Sequence, residues 1–557
     1  MRPLLALFVL AAPLARVSAA DPLSRLPPGY TLAVSVPDAR AAADAVRGLP
    51  AVASATGLAE VREALTTGPA RRFADLVGYY ERELGADWPT LLGKLAGRGL
   101  AVGAMFGQDD GPAVVVAEGT DADAAGDFFR LAVKLIEAEA GGQLLRHGTH
   151  AGAAVVHNGK DFFAARRDST LYLSNREDAC FAALDHTGKS LLDAAAPGRA
   201  LVGGDPLAWL WVDTHPTRRT KATADFLENS RKDFLGVLAV GATVDAIRRA
   251  DCVAAGLHRT AGGLALEVKL PAKRADLPPG YSLHVPPAGP GSLPLLRPPG
   301  TLYSQSIYLD LGSLWRERKA LLVGDQLRDV EKAERDISKF LPNTTLGTLL
   351  EQSGPHHRLV VADVPGDPYG TKPGVPYPAA AAVLSMRDPA FGKAMGSALR
   401  AGALAVTGRY KLKMRTEEHD GVKLVTYRFP EGVADDADPD NERFNMVPCF
   451  AVVDSYLVVA TRPELVKALL PELRGPAGAG SAAVWRGRLD AAGAAGFLRR
   501  HPEPVVSRGL LTQGLGLAEA RARAAEGIDW LAALGGAELS LDHRADCFAA
   551  KIEWTQR

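Results

Sequence analysis

Asp168-Ser169-Thr170-Leu171-Tyr172-Leu173-Ser174-Asn175-Arg176-Glu177 recurs as Asp454-Ser455-Tyr456-Leu457-Val458-Val459-Ala460-Thr461-Arg462-Pro463, 286 residues further on. Each copy reads as a turn, a short apolar strand and the start of a helix. Other matches fall near the same diagonal. His150-Ala151-Gly152 answers to His419-Asp420-Gly421, 269 apart, and Asp123-Ala124-Ala125 to Asp388-Pro389-Ala390, 265 apart. Leu257 to Leu270 runs against Leu541 to Trp554, 284 apart. A repeat of this length fixes the domain count before any motif is read. It predicts two similar α+β modules, residues 21–270 and 301–557.

Working outward, each copy opens on a strand, Leu32 to Val36 and Leu302 to Leu309. A strand pair and a long helix follow. In the first copy the helix starts near Asp123, and Phe128, Ala132, Leu135, Ile136 and Ala140 make one apolar stripe. Asp123 and Asp388 stand where an N-cap is wanted, and Pro389 suits a first helical turn. Short alternating segments then form a meander, Gln143–Arg146, Ala153–His157, Phe162–Arg166 and Leu171–Ser174. Asn158-Gly159 has the composition of a two-residue hairpin turn. A closing hairpin ends each copy. Helices alternating with hairpins give an α+β class with mainly antiparallel sheets.

Residues 271–300 hold nine of the chain's 38 prolines. Proline fixes φ and removes a donor, so this stretch is expected to be a semi-rigid linker between the modules. The shift in repeat spacing from 269 to 286 adds 17 residues to the second copy, in the segment Phe429 to Met446. A second lengthening lies at Pro365 to Pro378. Long loops carry function more often than short ones.

The first twenty residues read as a signal peptide. Arg2 is followed by an apolar run, Leu4 to Ala15, and by the small-residue site Val17-Ser18-Ala19. That run is too short to span a bilayer, and no later stretch approaches a spanning length. The mature chain is expected to begin at Ala20 or Asp21 and to be exported, to a periplasm or outside the cell. Lys+Arg and Asp+Glu both number 64. Zero net charge argues against a nucleic-acid binder and against a polybasic membrane surface. Cys180, Cys252, Cys449 and Cys547 are too widely spaced for a zinc site. Free buried thiols and disulfides both fit the spacing.

Asp436, Asp438 and Asp440 have the alternating spacing that gathers carboxylates round calcium, with Asn441 where such a loop wants a left-handed turn. Val447 stands where the bidentate glutamate should be, so any calcium site is weak. A solvated acidic loop is the plainer reading. No other cofactor is expected. Trp209, Trp211, Asp213 and His215 share a strand face if the alternation continues, and Asp213 with His215 could serve as base pair or metal ligands. No third ligand or nucleophile accompanies them. His150 and His419 lie in turns, and His356-His357 in a connection. Arg176 and Arg462 each start a helix and are expected to pair with a nearby carboxylate. Nucleophile elbows, phosphate loops and dinucleotide fingerprints are absent from the sequence.

Leu26-Pro27-Pro28-Gly29-Tyr30 before a strand, Val34-Ser35-Val36-Pro37-Asp38 leading into a helix, and the Asp-Ser-x-Leu strand entries at 168 and 454 resemble exported bacterial proteins that contain domains of unknown function. The resemblance implies tandem α+β modules and carries no catalytic residues. The expected function is that of an exported, non-catalytic binding or scaffold protein of the cell envelope, partnered by an envelope protein or ligand. The alternative is a metal-dependent hydrolase using Asp213 and His215.

Overall fold

The computed structural model describes residues 21–555 apart from 106–109, 140–144, 230–233, 278, 287–288, 323, 339–340, 342–343, 433–436 and 476–479. Tertiary contacts divide the described residues into two compact units, one up to Leu227 with Ala246–Ala272, the other Glu228–Asp245 with Lys273–Thr555. Both are α+β.

The first unit contains β1 (Leu32–Val36), β2 (Gly99–Ala104), β3 (Ala113–Glu118), β4 (Arg146–His150), β5 (Ala153–His157), β6 (Phe163–Arg167), β7 (Thr170–Ser174), β8 (Ala208–Asp213), β9 (Cys252–Thr260) and β10 (Gly263–Leu270). They pair antiparallel in the order 4-5-6-7-3-2-1-8-9-10. The second unit contains β11 (Thr301–Tyr308), β12 (Ser353–Ala362), β13 (Ala379–Met386), β14 (Lys413–His419), β15 (Val422–Arg428), β16 (Cys449–Val453), β17 (Tyr456–Ala460), β18 (Ala483–Asp490), β19 (Gly536–His543) and β20 (Phe548–Thr555). Their order is 14-15-16-17-13-12-11-18-19-20, again antiparallel throughout. The two orders are the same.

Turn chemistry sets the register. Asp168 and Asp454 have φ of 52° and 49° and open two-residue turns into β7 and β17. Ala151-Gly152 and Asp420-Gly421 are likewise left-handed pairs. The Asn158 turn is wider than a two-residue hairpin. Its side-chain oxygen accepts from the backbone N–H groups of Lys160, Asp161 and Phe162, so β5 and β6 join through an Asx-stabilised loop. Asp388 caps its helix as expected, but the cap of Ala122–Glu139 is Asp121 rather than Asp123. Asp121 precedes the free N–H groups of the first turn and accepts from them. Asp123 already lies inside that turn.

Helices cover both faces of each sheet. On one face of the first unit Ala33, Ala101, Val116, Tyr172, Trp209 and Trp211 form a core with the helix Glu177–Leu184 and with Leu23 and Leu26. In the second unit the helix Pro463–Arg474 buries Leu465, Val466, Leu469 and Leu470 against Val360, Val383 and Val458. The proline-rich stretch is not a free linker. Leu283 and Leu296 are buried, Ser292 forms a β-bridge with Ser481, and Leu296 joins the second core. Proline cannot join a ladder, but a proline-rich segment can lie across a sheet face, and this one lies over the sheet of the second unit.

Candidate functional site

The two lengthened segments of the second unit meet. Tyr369, Phe444 and Val447 are buried together, with Phe429 packed against them. Tyr369 and Phe444 have ring centroids 4.9 Å apart, and the Tyr369 hydroxyl donates to the Met446 carbonyl at 3.1 Å. Asn445 spans the join. Its oxygen accepts from the Tyr377 N–H at 2.8 Å and its amide donates to the Val375 carbonyl at 2.8 Å. The Gly374 N–H donates to the Asp440 carbonyl at 2.7 Å. The result is a small accessory lobe with its own core.

Within it, Asn441 is left-handed at φ 56°, as its place in the sequence requires. Asp438 accepts from the backbone N–H groups of Glu442 and Arg443 at 2.7 and 3.2 Å and pairs with the Arg443 guanidinium at 2.7 Å. Partial burial alone would raise the Asp438 pKa, but these donors hold it below the ordinary carboxylate value. Asp438 is therefore already occupied, bonded to the first two N–H groups of the turn at Glu442–Asn445, which follows Asn441. Asp440 contributes its carbonyl to Gly374. Asp436 lies outside the described residues.

Asp213 and His215 are not brought together as a pair of side chains. β8 ends at Asp213, which caps a short helix by accepting from the His215 N–H at 2.9 Å. The alternation therefore stops two residues short of His215, which does not join the Trp209 face. Its ring is exposed, 3.1 Å from Asp251 and 3.3 Å from the Arg218 guanidinium. Among the described residues no three His, Cys, Asp or Glu side chains gather as a metal site.

The matched histidines differ. His150 stacks on Phe181 and pairs with Asp185 at 2.7 Å, whereas His419 faces Asp420 at 3.7 Å. His356 packs edge-on to Tyr308, and the His357 ring meets the Leu309 carbonyl at 3.0 Å. Burial lowers the pKa of both imidazoles. The matched arginines behave alike. Arg176 reaches Asp178 at 3.1 Å and Arg462 reaches Glu464 at 3.3 Å, each two residues on. Arg462 also donates to the Gly366 carbonyl at 2.7 Å and so ties down the first long loop. All four cysteines are buried and free, and burial pushes the thiols of Cys180 and Cys449 up to about 12.

Two arrangements were not predicted from the sequence. Asp310 is buried at the exit of β11. It takes a two-pronged pair from Arg387 at 3.0 and 2.7 Å and accepts from the Ser313 N–H and hydroxyl at 3.1 and 2.8 Å. Burial pushes its pKa up, but Arg387 and Ser313 outweigh it and leave the net shift downward. This is a structural anchor for the helix Leu311–Leu321.

The other is a groove among the helices Ala491–Arg500, Glu503–Gln513 and Leu517–Ala533. Val506, Ala520 and Ala524 hold the last two helices together. Gly509 allows the approach, since a Cβ there would lie 3.3 Å from the Ala520 methyl. The groove encloses about 590 Å³. Val506, Leu510, Leu517, Ala525 and Ile528 make an apolar lining, and Arg499, Glu503, Arg521 and Asp529 a charged rim. Arg499 and Asp529 pair at 2.7 Å across it. A concave apolar lining with a few charges at its edge is the usual build of a ligand pocket.

No protein-family model matches the chain, and no curated protein matches it. Among solved structures, crystal form I of TP0453 aligns over 47% of this chain and 82% of that chain, at 8% identity and a TM-score of 0.26. At that level the likeness carries no argument.

Proposed function

We propose that this chain is an exported, non-catalytic binding protein of the cell envelope, built from a duplicated α+β module. The groove between Glu503–Gln513 and Leu517–Ala533 carries the reading. Its volume falls in the range of small-ligand pockets, roughly 300–1,000 Å³. Its lining suits an apolar body and its rim a polar end. The charged leader, apolar run and small-residue site favour export. The shared strand order and matched turns favour duplication.

An apolar fluorescent probe, N-phenyl-1-naphthylamine, tests the binding reading on the full chain. Saturable fluorescence enhancement is expected, and it should be lost in Ala525→Trp, which fills the groove, while the circular dichroism spectrum is unchanged. Enhancement of the same size in Ala525→Trp would remove the groove from the function. N-terminal sequencing of exported material should begin at Ala20 or Asp21. A Met1 terminus in an integral-membrane fraction would reverse the export reading.

A further inference from the structure

The same place in the two sheets is chemically different. Counting across paired strands from the matched turns, Tyr172 faces Val116, then Ala101, Ser35, Trp209 and Gly256. The corresponding row in the second unit is Val458, Val383, Arg358, Ser306, Arg486 and Ser540. Ser35 and Ser306 are thus equivalent, and Arg358 and Arg486 replace Ala101 and Trp209. Trp485 is one register off and lies on the other face.

In the first unit this row is satisfied by the segment that crosses it. The Asp21 carboxylate accepts from the Ser35 hydroxyl at 2.9 Å, the Trp209 Nε1–H at 3.2 Å and the Leu23 N–H at 3.0 Å. The crossing segment of the second unit ends on Arg297-Pro298-Pro299-Gly300 as the first ends on Leu26-Pro27-Pro28-Gly29, 271 residues apart. The same spacing sets Ser292 against Asp21. Gly291 hydrogen-bonds the His356 ring, Leu296 packs with Val360, and Arg297 reaches Glu538 at 3.3 Å. The segment therefore runs over the Ser306 row.

There the carboxylate is replaced by a hydroxyl. Ser292 and Ser306 are fully buried, Arg358 is 7% exposed, and the Oγ atoms of both serines and the Nη2 of Arg358 have no hydrogen-bond partner within the protein, although the Arg358 side chain also bonds the Tyr456 side chain. The Arg358 guanidinium sits over the Tyr456 ring at 4.7 Å. Glu472 accepts from the Arg297 N–H at 2.8 Å and its charge also reaches Arg358, without an ion pair between them among the described residues, while Glu538 pairs with Arg488 at 2.6 Å. Arg486 is half-buried and has no acidic partner among the described residues.

We infer that Ser292, Ser306, Arg358 and Arg486 form a binding site for a small carboxylate, which takes the place that Asp21 fills in the first unit. Buried donors left without an acceptor are costly, and two arginines flanking Ser306 in register make a carboxylate the matching guest. Arg486 is the group open to solvent and the point of entry.

Calorimetry and thermal melting of the full chain test this, with sodium acetate against sodium phosphate and a sodium chloride control at constant ionic strength. Acetate is expected to bind saturably and raise Tm, at least tenfold more tightly than phosphate. Arg486→Met should weaken it at least tenfold, and the half-buried position makes that variant the one least harmful to folding. Ser292→Asp should raise Tm in acetate-free buffer and abolish the response to acetate. Saturable phosphate binding without acetate binding would overturn the carboxylate assignment. No saturable heat from either anion, or Ser292→Asp lowering Tm with the acetate response intact, would overturn the site.

Discussion

The first and second units share a strand order and differ in what fills their polar positions. In the first, Asp21 closes a buried network from the chain's own N-terminal segment. In the second, the equivalent network is left open with Ser292, and new polar features appear elsewhere: the Asp310–Arg387 pair, the unpaired His543 ring, and the lobe made by two long loops. One topology thus tolerates an apolar or a basic interior row. Strand pairing is carried by the backbone and the turns, whereas the row's chemistry is carried by side chains alone.

The largest effect should come from the Asp310–Arg387 pair of the second unit. Asp310→Ala leaves Arg387 partly buried without its acid and Leu311–Leu321 without a cap. A loss of about 3 kcal/mol is expected, the low end for a broken buried pair, because Arg387 is 38% exposed and water can take up part of its charge. Denaturant unfolding would measure it, with the Asp38→Ala variant in the first unit expected to lose only about 1 kcal/mol for its cap. Equal losses would erase this distinction between the units.

His543 sharpens it by pH. The ring is buried with neither nitrogen paired, and burial, with Arg274 adding to it, lowers its pKa to about 4. The unfolded chain binds that proton near pH 6.5, so it takes up protons before the folded chain does. Stability should therefore fall as pH drops from about 6.5 to about 4, by roughly 3 kcal/mol in all. His543→Leu should flatten that slope. Asp310 acts lower, since its depressed pKa gives stability present above about 4 and lost as pH falls further. A slope unchanged in His543→Leu would assign the pH dependence to another group.

Asp21→Ala tests the closed network of the first unit. It strands the Ser35 hydroxyl and the Trp209 N–H in a buried setting, at a cost of about 2 kcal/mol. Trp209 fluorescence should report the change. A cost below about 0.5 kcal/mol would mean that water satisfies these donors as well as Asp21 does, and the contrast with Ser292 would lose its basis.

Local chemistry was the legible part of this chain. The turns at Asp168 and Asp454, the Asp388 cap and the arginines at 176 and 462 depend on neighbours within a few residues, so the sequence exposes them. Cross-strand neighbours are not exposed. Arg358, Ser306 and Arg486 are far apart in sequence and become one row only through register. A usable signal was nonetheless present, because Leu26-Pro27-Pro28-Gly29-Tyr30 returns as Leu277-Pro278-Pro279-Gly280-Tyr281 and its Pro-Pro-Gly again at 298–300. That repetition marks 271–300 as part of the module rather than a tether. His215 was misplaced because alternation was carried past the strand end, where Asp213 turns the chain into a helix. The groove depends on three helices closing round one space, and their separate sequences do not reveal it.

The smallest effect concerns the acidic loop that only the second unit has. Asp438 holds Arg443 and two backbone N–H groups, so a calcium ion would have to displace Arg443 to use that carboxylate. A site with a Kd of ~1 mM would add only about 0.4 kcal/mol at 1 mM calcium, and competition from Arg443 lowers that further. Asp438→Ala should instead cost about 1–2 kcal/mol through the lost N–H bonds and ion pair, with or without calcium. Thermal melts of the full chain at zero and millimolar calcium separate the two roles. A calcium-dependent rise in Tm that disappears in Asp438→Ala would make the loop a cation site. A calcium-independent loss would make it the latch that seats the accessory lobe.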